Sequence, residues 1–112
     1  MKAYYYYYRN ELNAPVVTVC LLINASRLPV ARGIAICSNS DHPVKKVGRR
    51  IAYSKAMQAY HKGRTMYPVR SERALSVVRS VNCDDNILQY KSTYMPDITD
   101  FEYDLLHVRK AA

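Results

Sequence analysis

The sequence predicts an α+β domain: an N-terminal antiparallel sheet of about three strands, packed by one long helix and a short one, with a short C-terminal element. Three observations predict it. Residues 2–37 hold three runs rich in aromatic or β-branched residues, separated by turn formers. The connections between those runs are far too short for parallel crossovers, so neighbours must be antiparallel. From residue 41 to 62 the apolar positions change to a helical period.

The first strand is predicted over residues 2–9, where Tyr4, Tyr5, Tyr6, Tyr7 and Tyr8 run without a break. Aromatics suit a pleated surface, and here both faces carry phenols. Residues 10–15 are turn formers. Residues 15–23 form a β-branched run that fits a well-buried second strand, and 24–27 form another turn. Residues 28–37 fit a third strand, with Gly33 marking a bend or bulge. Ser38, Asn39, Ser40 and Asp41 then cluster as capping residues, and Pro43 suits a first helical turn. Val44, Val47, Gly48, Ile51, Ala52 and Ala59 fall on one stripe of the helix, and Gly63 supplies a stop. Gly48 inside that stripe costs roughly 1 kcal/mol of propensity, for which close backbone approach to the sheet is the simplest reason. Lys55 falls near the stripe's centre; it reads first as snorkelling from the edge of the core, with a pocket or a subunit interface as the alternative. Beyond Gly63, residues 71–79 fit a short helix, 87–94 an edge strand and 96–100 a turn. Residues 101–109 fit either state: Thr99 and Glu102 have capping-box spacing, whereas Phe101, Tyr103 and Leu105 alternate with acids.

The 112 residues are about one domain long, read here as 1–112. No window of about 20 apolar residues suggests a membrane span. The start, Met1-Lys2-Ala3 and tyrosines, lacks the aliphatic core of a signal peptide. Three cysteines, Cys20, Cys37 and Cys83, are an odd number and read as reduced thiols, so a cytoplasmic location is expected. The net charge is +8 and concentrated. Between His42 and Arg70 lie Lys45, Lys46, Arg49, Arg50, Lys55, Lys62, Arg64 and Arg70 with no acid. Such a band draws anions: a nucleotide, a nucleic acid or a charged surface.

The start of the long helix is the strongest functional candidate. It already carries partial positive charge and free N–H groups. Four cations there, Lys45, Lys46, Arg49 and Arg50, oppose the helix dipole and repel one another at i,i+4. An anion bound at that end relieves both penalties; a solvated basic face with no ligand is the simpler rival. The tyrosine run reads first as a subunit interface, then as core, then as a base-stacking surface. Enzyme readings are poor, and no enzyme is expected. Cys37 and His42 flank a turn with no orienting carboxylate, there is no zinc-ligand spacing, and there is no Walker loop or GxGxxG. No cofactor or metal is expected.

The stretch Arg32-Gly33-Ile34-Ala35-Ile36-Cys37-Ser38, then Asp41, then Lys45-Lys46-Val47-Gly48-Arg49-Arg50-Ile51-Ala52, resembles Thoeris anti-defence proteins of the first described type. The resemblance implies a phage protein that acts as a sponge. It would sequester cyclic ADP-ribose isomers without degrading them, with cyclic oligonucleotides at a second site and assembly as a homo-oligomer, a dimer or larger. The tyrosine-rich N-terminus and the acidic stretch 97–104 do not match that family. The ligand-binding residues expected are Ser38, Asn39, Lys45, Arg49 and Arg50 for phosphates. Tyr90 and Tyr94 are expected to stack on a base, and Arg109 to close over the ligand from a neighbouring subunit. The rivals are a DNA- or RNA-binding module built on the basic helix, and an inhibitor that docks on a host protein through the tyrosine edge.

Overall fold

The computed structural model describes residues 1–36, 44–64 and 92–111. In chain order the elements are β1 (Lys2–Arg9), β2 (Pro15–Ile23), β3 (Pro29–Ile36), α1 (Lys45–Lys62), β4 (Thr93–Tyr94) and α2 (Asp100–Ala111). The four strands form one antiparallel sheet in the order β1-β2-β3-β4. The α+β class and the three N-terminal strands are as expected. The short helix predicted over 71–79, with Cys37, Asp41, His42 and Cys83, lies outside the described residues.

The turns form where asparagine chemistry permits. Asn10 Oδ1 accepts from the Leu12 and Ala14 amides, each at 3.0 Å, and Asn13 takes the left-handed conformation at φ 62°. Asn24 Oδ1 accepts from the Leu28 amide at 2.9 Å. These tight reversals set β1, β2 and β3 side by side.

Alternation along the strands then assigns two faces. On one, Cys20 and Leu22 of β2 and Ala31 and Ala35 of β3 meet Ala52 and Ala56 of α1, flanked by Ala3 and Tyr5. On the other, Val17, Val19, Leu21, Ile23 and Ile34 meet Leu105 and Leu106 of α2, flanked by Tyr4, Tyr6 and Tyr8. Both faces of the sheet are therefore covered, which is why all of β2 beyond Pro15 is buried. A β-branched run without polar alternation is the sequence such a strand needs.

α1 lies unusually close to the sheet. A Cβ on Gly33 would stand 2.1 Å from the Ala52 carbonyl oxygen and 2.4 Å from the Ala56 nitrogen. Gly33 thus marks a close helix approach, not the bend or bulge expected of it. It pairs regularly with Cys20, and the irregularity between β2 and β3 falls at Leu22/Ile23. Gly48 does the same from the helix side, where a Cβ would meet Thr18 Oγ1 at 2.4 Å.

That approach also corrects the predicted stripe. Only small residues fit beneath α1, so its buried residues are Ala52, Ala56 and Ala59. Val44, Val47 and Ile51 are 52%, 41% and 41% exposed. The helix is rolled from the predicted orientation by somewhat less than one residue's step of about 100°. Lys55 sits half-buried at the rim, and desolvation lowers its pKa from 10.5, consistent with a stem laid along the core edge. α1 begins at Lys45, later than the predicted 41, and Val44 at its N-cap makes no side-chain capping bond. Gly63 ends it as expected, in the left-handed conformation at φ 61°.

α2 resolves the ambiguity of residues 101–109 in favour of helix. The Glu102 amide donates to Thr99 Oγ1 and the Thr99 amide to Glu102 Oε1, each at 3.1 Å, which is a complete capping box.

Candidate functional site

The roll of α1 divides its four N-terminal cations. Lys45 and Arg49 turn toward β1, while Lys46 and Arg50 face solvent. Tyr7 receives the first pair: Lys45 Nζ lies 5.0 Å from the Tyr7 ring centroid, and Arg49 Nη1 donates to the Tyr7 hydroxyl at 3.0 Å. Tyr7 stands there because it pairs with Thr18, the residue on which Gly48 rests, so the first turns of α1 pass beside it.

Tyr5 lies on the same face, two residues away. Its phenol is pushed up to about 12, first by burial and then by the neighbouring Cys20 thiol, with Tyr53 adding and Arg49 opposing. Cys20 is a free, buried thiol, likewise raised to about 12 by desolvation. A thiol held neutral in that way is a poor nucleophile.

The patch therefore combines a guanidinium, an ammonium and a half-buried phenol ring beside a helix start. No acid lies in the first turn of α1, and among the described residues the salt bridge present joins Arg32 to Glu102, remote from this patch. The Lys45, Lys46 and Val47 amides precede the first intrahelical bond, which runs from the Gly48 amide to the Val44 carbonyl at 3.0 Å. Such an array can hold a phosphate by charge-assisted hydrogen bonds while offering a ring for stacking.

Of the other expected residues, Tyr94 does not join it. Tyr94, 38% exposed, pairs with Ala31 at the β4 edge, across the sheet from β1 and toward its opposite end. Sheet order alone separates it from Lys45 and Arg49. Arg109 belongs to α2, and its side chain lies outside the described ones. Ser38, Asn39 and Tyr90 lie outside the described residues.

Arg32, the first residue of the stretch that resembles the Thoeris anti-defence proteins, is turned inward. It is 4% exposed and Glu102 is 0% exposed. Arg32 Nε donates to Glu102 Oε2 at 2.9 Å, Nη2 to Oε1 at 2.5 Å, and Nη2 also to the Asp97 carbonyl at 2.8 Å. The Tyr6 hydroxyl donates to Glu102 Oε2 at 2.8 Å, and burial followed by the Glu102 charge pushes that phenol strongly upward. With its donors engaged inside, Arg32 is structural. One signal was available in the sequence: a lone cation inside the apolar strand Val30-Ala31-Arg32-Gly33-Ile34 calls for an internal acid. Tyr7, which sequence reasoning did not single out, left no comparable signal among five identical neighbours.

Comparison with protein-family models, curated proteins and solved structures finds no match. Among the described residues no cluster of metal-ligating side chains occurs, and no helix is long and apolar enough to cross a membrane.

Proposed function

We propose that the chain binds a small cyclic nucleotide at the Lys45–Arg49–Tyr7 patch and holds it without chemical change. As a sequestering protein it would blunt a bacterial anti-phage signal carried by such a nucleotide. The observation that carries the reading is the convergence of Lys45 and Arg49 on the Tyr7 ring, at a helix start with no acid in its first turn. Phosphate charge offsets the mutual repulsion of the cations, and the ring offers an aromatic surface to a base. The resemblance of residues 32–52 to Thoeris anti-defence proteins points to cyclic ADP-ribose isomers as the first ligands to test.

The test is incubation of the purified chain with a panel of cyclic nucleotides, then heat denaturation and mass analysis of what is released. Recovery of one intact compound supports sequestration; a cleaved product excludes it. Arg49→Ala should weaken capture at least tenfold by calorimetry, the loss of one charge-assisted bond of about 1.5–3 kcal/mol, with the fold retained. Unchanged affinity in that variant removes the patch from the reading.

The rival with a specific observation behind it is a polynucleotide. Lys46 and Arg50 are exposed on the outer side of α1 and present charge to a phosphate backbone. That reading requires affinity that grows with polynucleotide length and falls steeply with salt. The nucleotide reading requires saturation by one small ligand.

A further inference from the structure

The two N-terminal hairpins are built on one plan and differ where the backbone turns left-handed. In the first, the Asn10 amide donates to the Ala14 carbonyl at 3.0 Å and the Asn13 amide to the Asn10 carbonyl at 2.9 Å. In the second, the Asn24 amide donates to the Leu28 carbonyl and the Arg27 amide to the Asn24 carbonyl, each at 3.0 Å. Such a loop needs one residue in the left-handed conformation, Asn13 at φ 62° and Arg27 at φ 64°. Asparagine visits that region readily and arginine does not, so Arg27 is held there against its local preference.

The Arg27 side chain lines a cleft of about 310 Å³ at this corner of the sheet, with Lys2, Tyr4, Ile23 and Asn24. Lys2 stands there because it pairs with Ile23, the last residue of β2. Tyr4 packs with Leu21, Ile23 and Leu106, so the cleft lies on the face that α2 covers. Among the described residues that line it there is no acid. The Lys45–Arg49–Tyr7 patch lies on the other face, beside α1, so the two places are separate.

We infer that this cleft binds a small amphipathic anion, one carboxylate or phosphate on a one-ring apolar body. Arg27 and Lys2 supply donors for charge-assisted hydrogen bonds, and Tyr4 and Ile23 supply an apolar bed. The volume stands at the lower bound of small-molecule sites, which suits one ring better than a dinucleotide. An unfavourable backbone conformation persists where the side chain it carries is needed.

The experiment is an amide NMR titration of the full chain with 4-methylbenzoate, phenyl phosphate and the neutral 4-methylbenzyl alcohol, repeated on R27N and K2A. Both anions should shift the Tyr4, Ile23 and Arg27 amides and saturate, and the tighter one assigns the charged group. The alcohol should leave those amides unmoved. R27N gives the second hairpin the residue that the first one uses. It should melt about 2–4 °C higher and bind the anions at least tenfold more weakly. K2A should weaken binding without raising the melting temperature. Stability gained while binding is lost separates a residue kept for a ligand from one kept for the turn. No saturable shift with either anion, equal binding of the alcohol, R27N or K2A that binds as the wild type does, R27N that melts no higher, or tighter binding of cyclic di-AMP at the same amides would each overturn the inference.

Discussion

At the scale of single residues, the most consequential side chain is Glu102. Its carboxylate accepts from Arg32, Tyr6 and its own helix cap at once, joining α2 to β1 and β3 across 96 and 70 residues of sequence. Burying a charge pair yields little net energy, but removing one partner leaves the other charged, dry and alone. Glu102→Ala should therefore cost about 3–5 kcal/mol in urea unfolding, a large part of a typical domain's stability. Tyr6→Phe should cost only about 1 kcal/mol, since Arg32 still satisfies the same carboxylate oxygen. Replacing both partners, Arg32→Met with Glu102→Leu, should recover most of the loss. A double variant as unstable as Glu102→Ala would contradict that account.

At the scale of elements, the packing of α1 rests on two glycines that face different obstacles. Gly33→Ala would drive a methyl into helix backbone, the Ala52 carbonyl and the Ala56 nitrogen, which cannot move without lifting the helix. Its cost should reach or exceed about 3 kcal/mol, the upper end for overpacking. Gly48→Ala meets a side chain, Thr18, and gains roughly 1 kcal/mol of helix propensity. It should be the milder change, and Thr18→Ala introduced with it should recover stability. Thermal melts of the three variants decide the order. An equal loss from both glycine substitutions would mean that α1 does not sit as close to β3 as described.

At the scale of the whole molecule, burial sets the response to alkali. Cys20 moves from 9.0 to about 12 and Tyr5 from 10.0 to about 12, both chiefly by desolvation; Tyr6 moves the same way. In the unfolded chain these groups ionise at their ordinary values, while the native protein keeps their protons. Between pH about 9 and about 12 the native state therefore binds more protons, and stability falls as pH rises. Lys55 acts in the opposite sense: its lowered pKa makes the native state bind fewer protons, so its unfavourable contribution is relieved as pH rises to 10.5 and is constant beyond it. Three groups oppose one, so the urea midpoint should hold up to pH about 9 and then decline. A midpoint that rises from pH about 9 to about 11 would contradict the described burial of Tyr5, Tyr6 and Cys20.

Much of this fold was legible because it is local chemistry. Asn10 and Asn24 announce their turns, the β-branched run announces a strand covered on both sides, Gly63 announces the end of α1, and Thr99 with Glu102 announces the start of α2. The basic helix start was legible for the same reason. What a periodicity cannot supply is the angle at which an element meets its neighbours. Spacing placed Val44, Val47 and Ile51 inward, yet the seam of Gly48, Ala52, Ala56 and Ala59 permits a closer contact over Gly33, and the helix rolls to take it. That roll carries Lys45 and Arg49 onto Tyr7 and leaves Lys46 and Arg50 in solvent. The amino-acid order by itself determined the three N-terminal strands, the end of α1 and the concentration of positive charge, because each depends on residues a few positions apart. Tertiary structure alone decided which cations gather at one phenol and which cation, Arg32, is consumed inside, because those outcomes depend on how closely two backbones can approach.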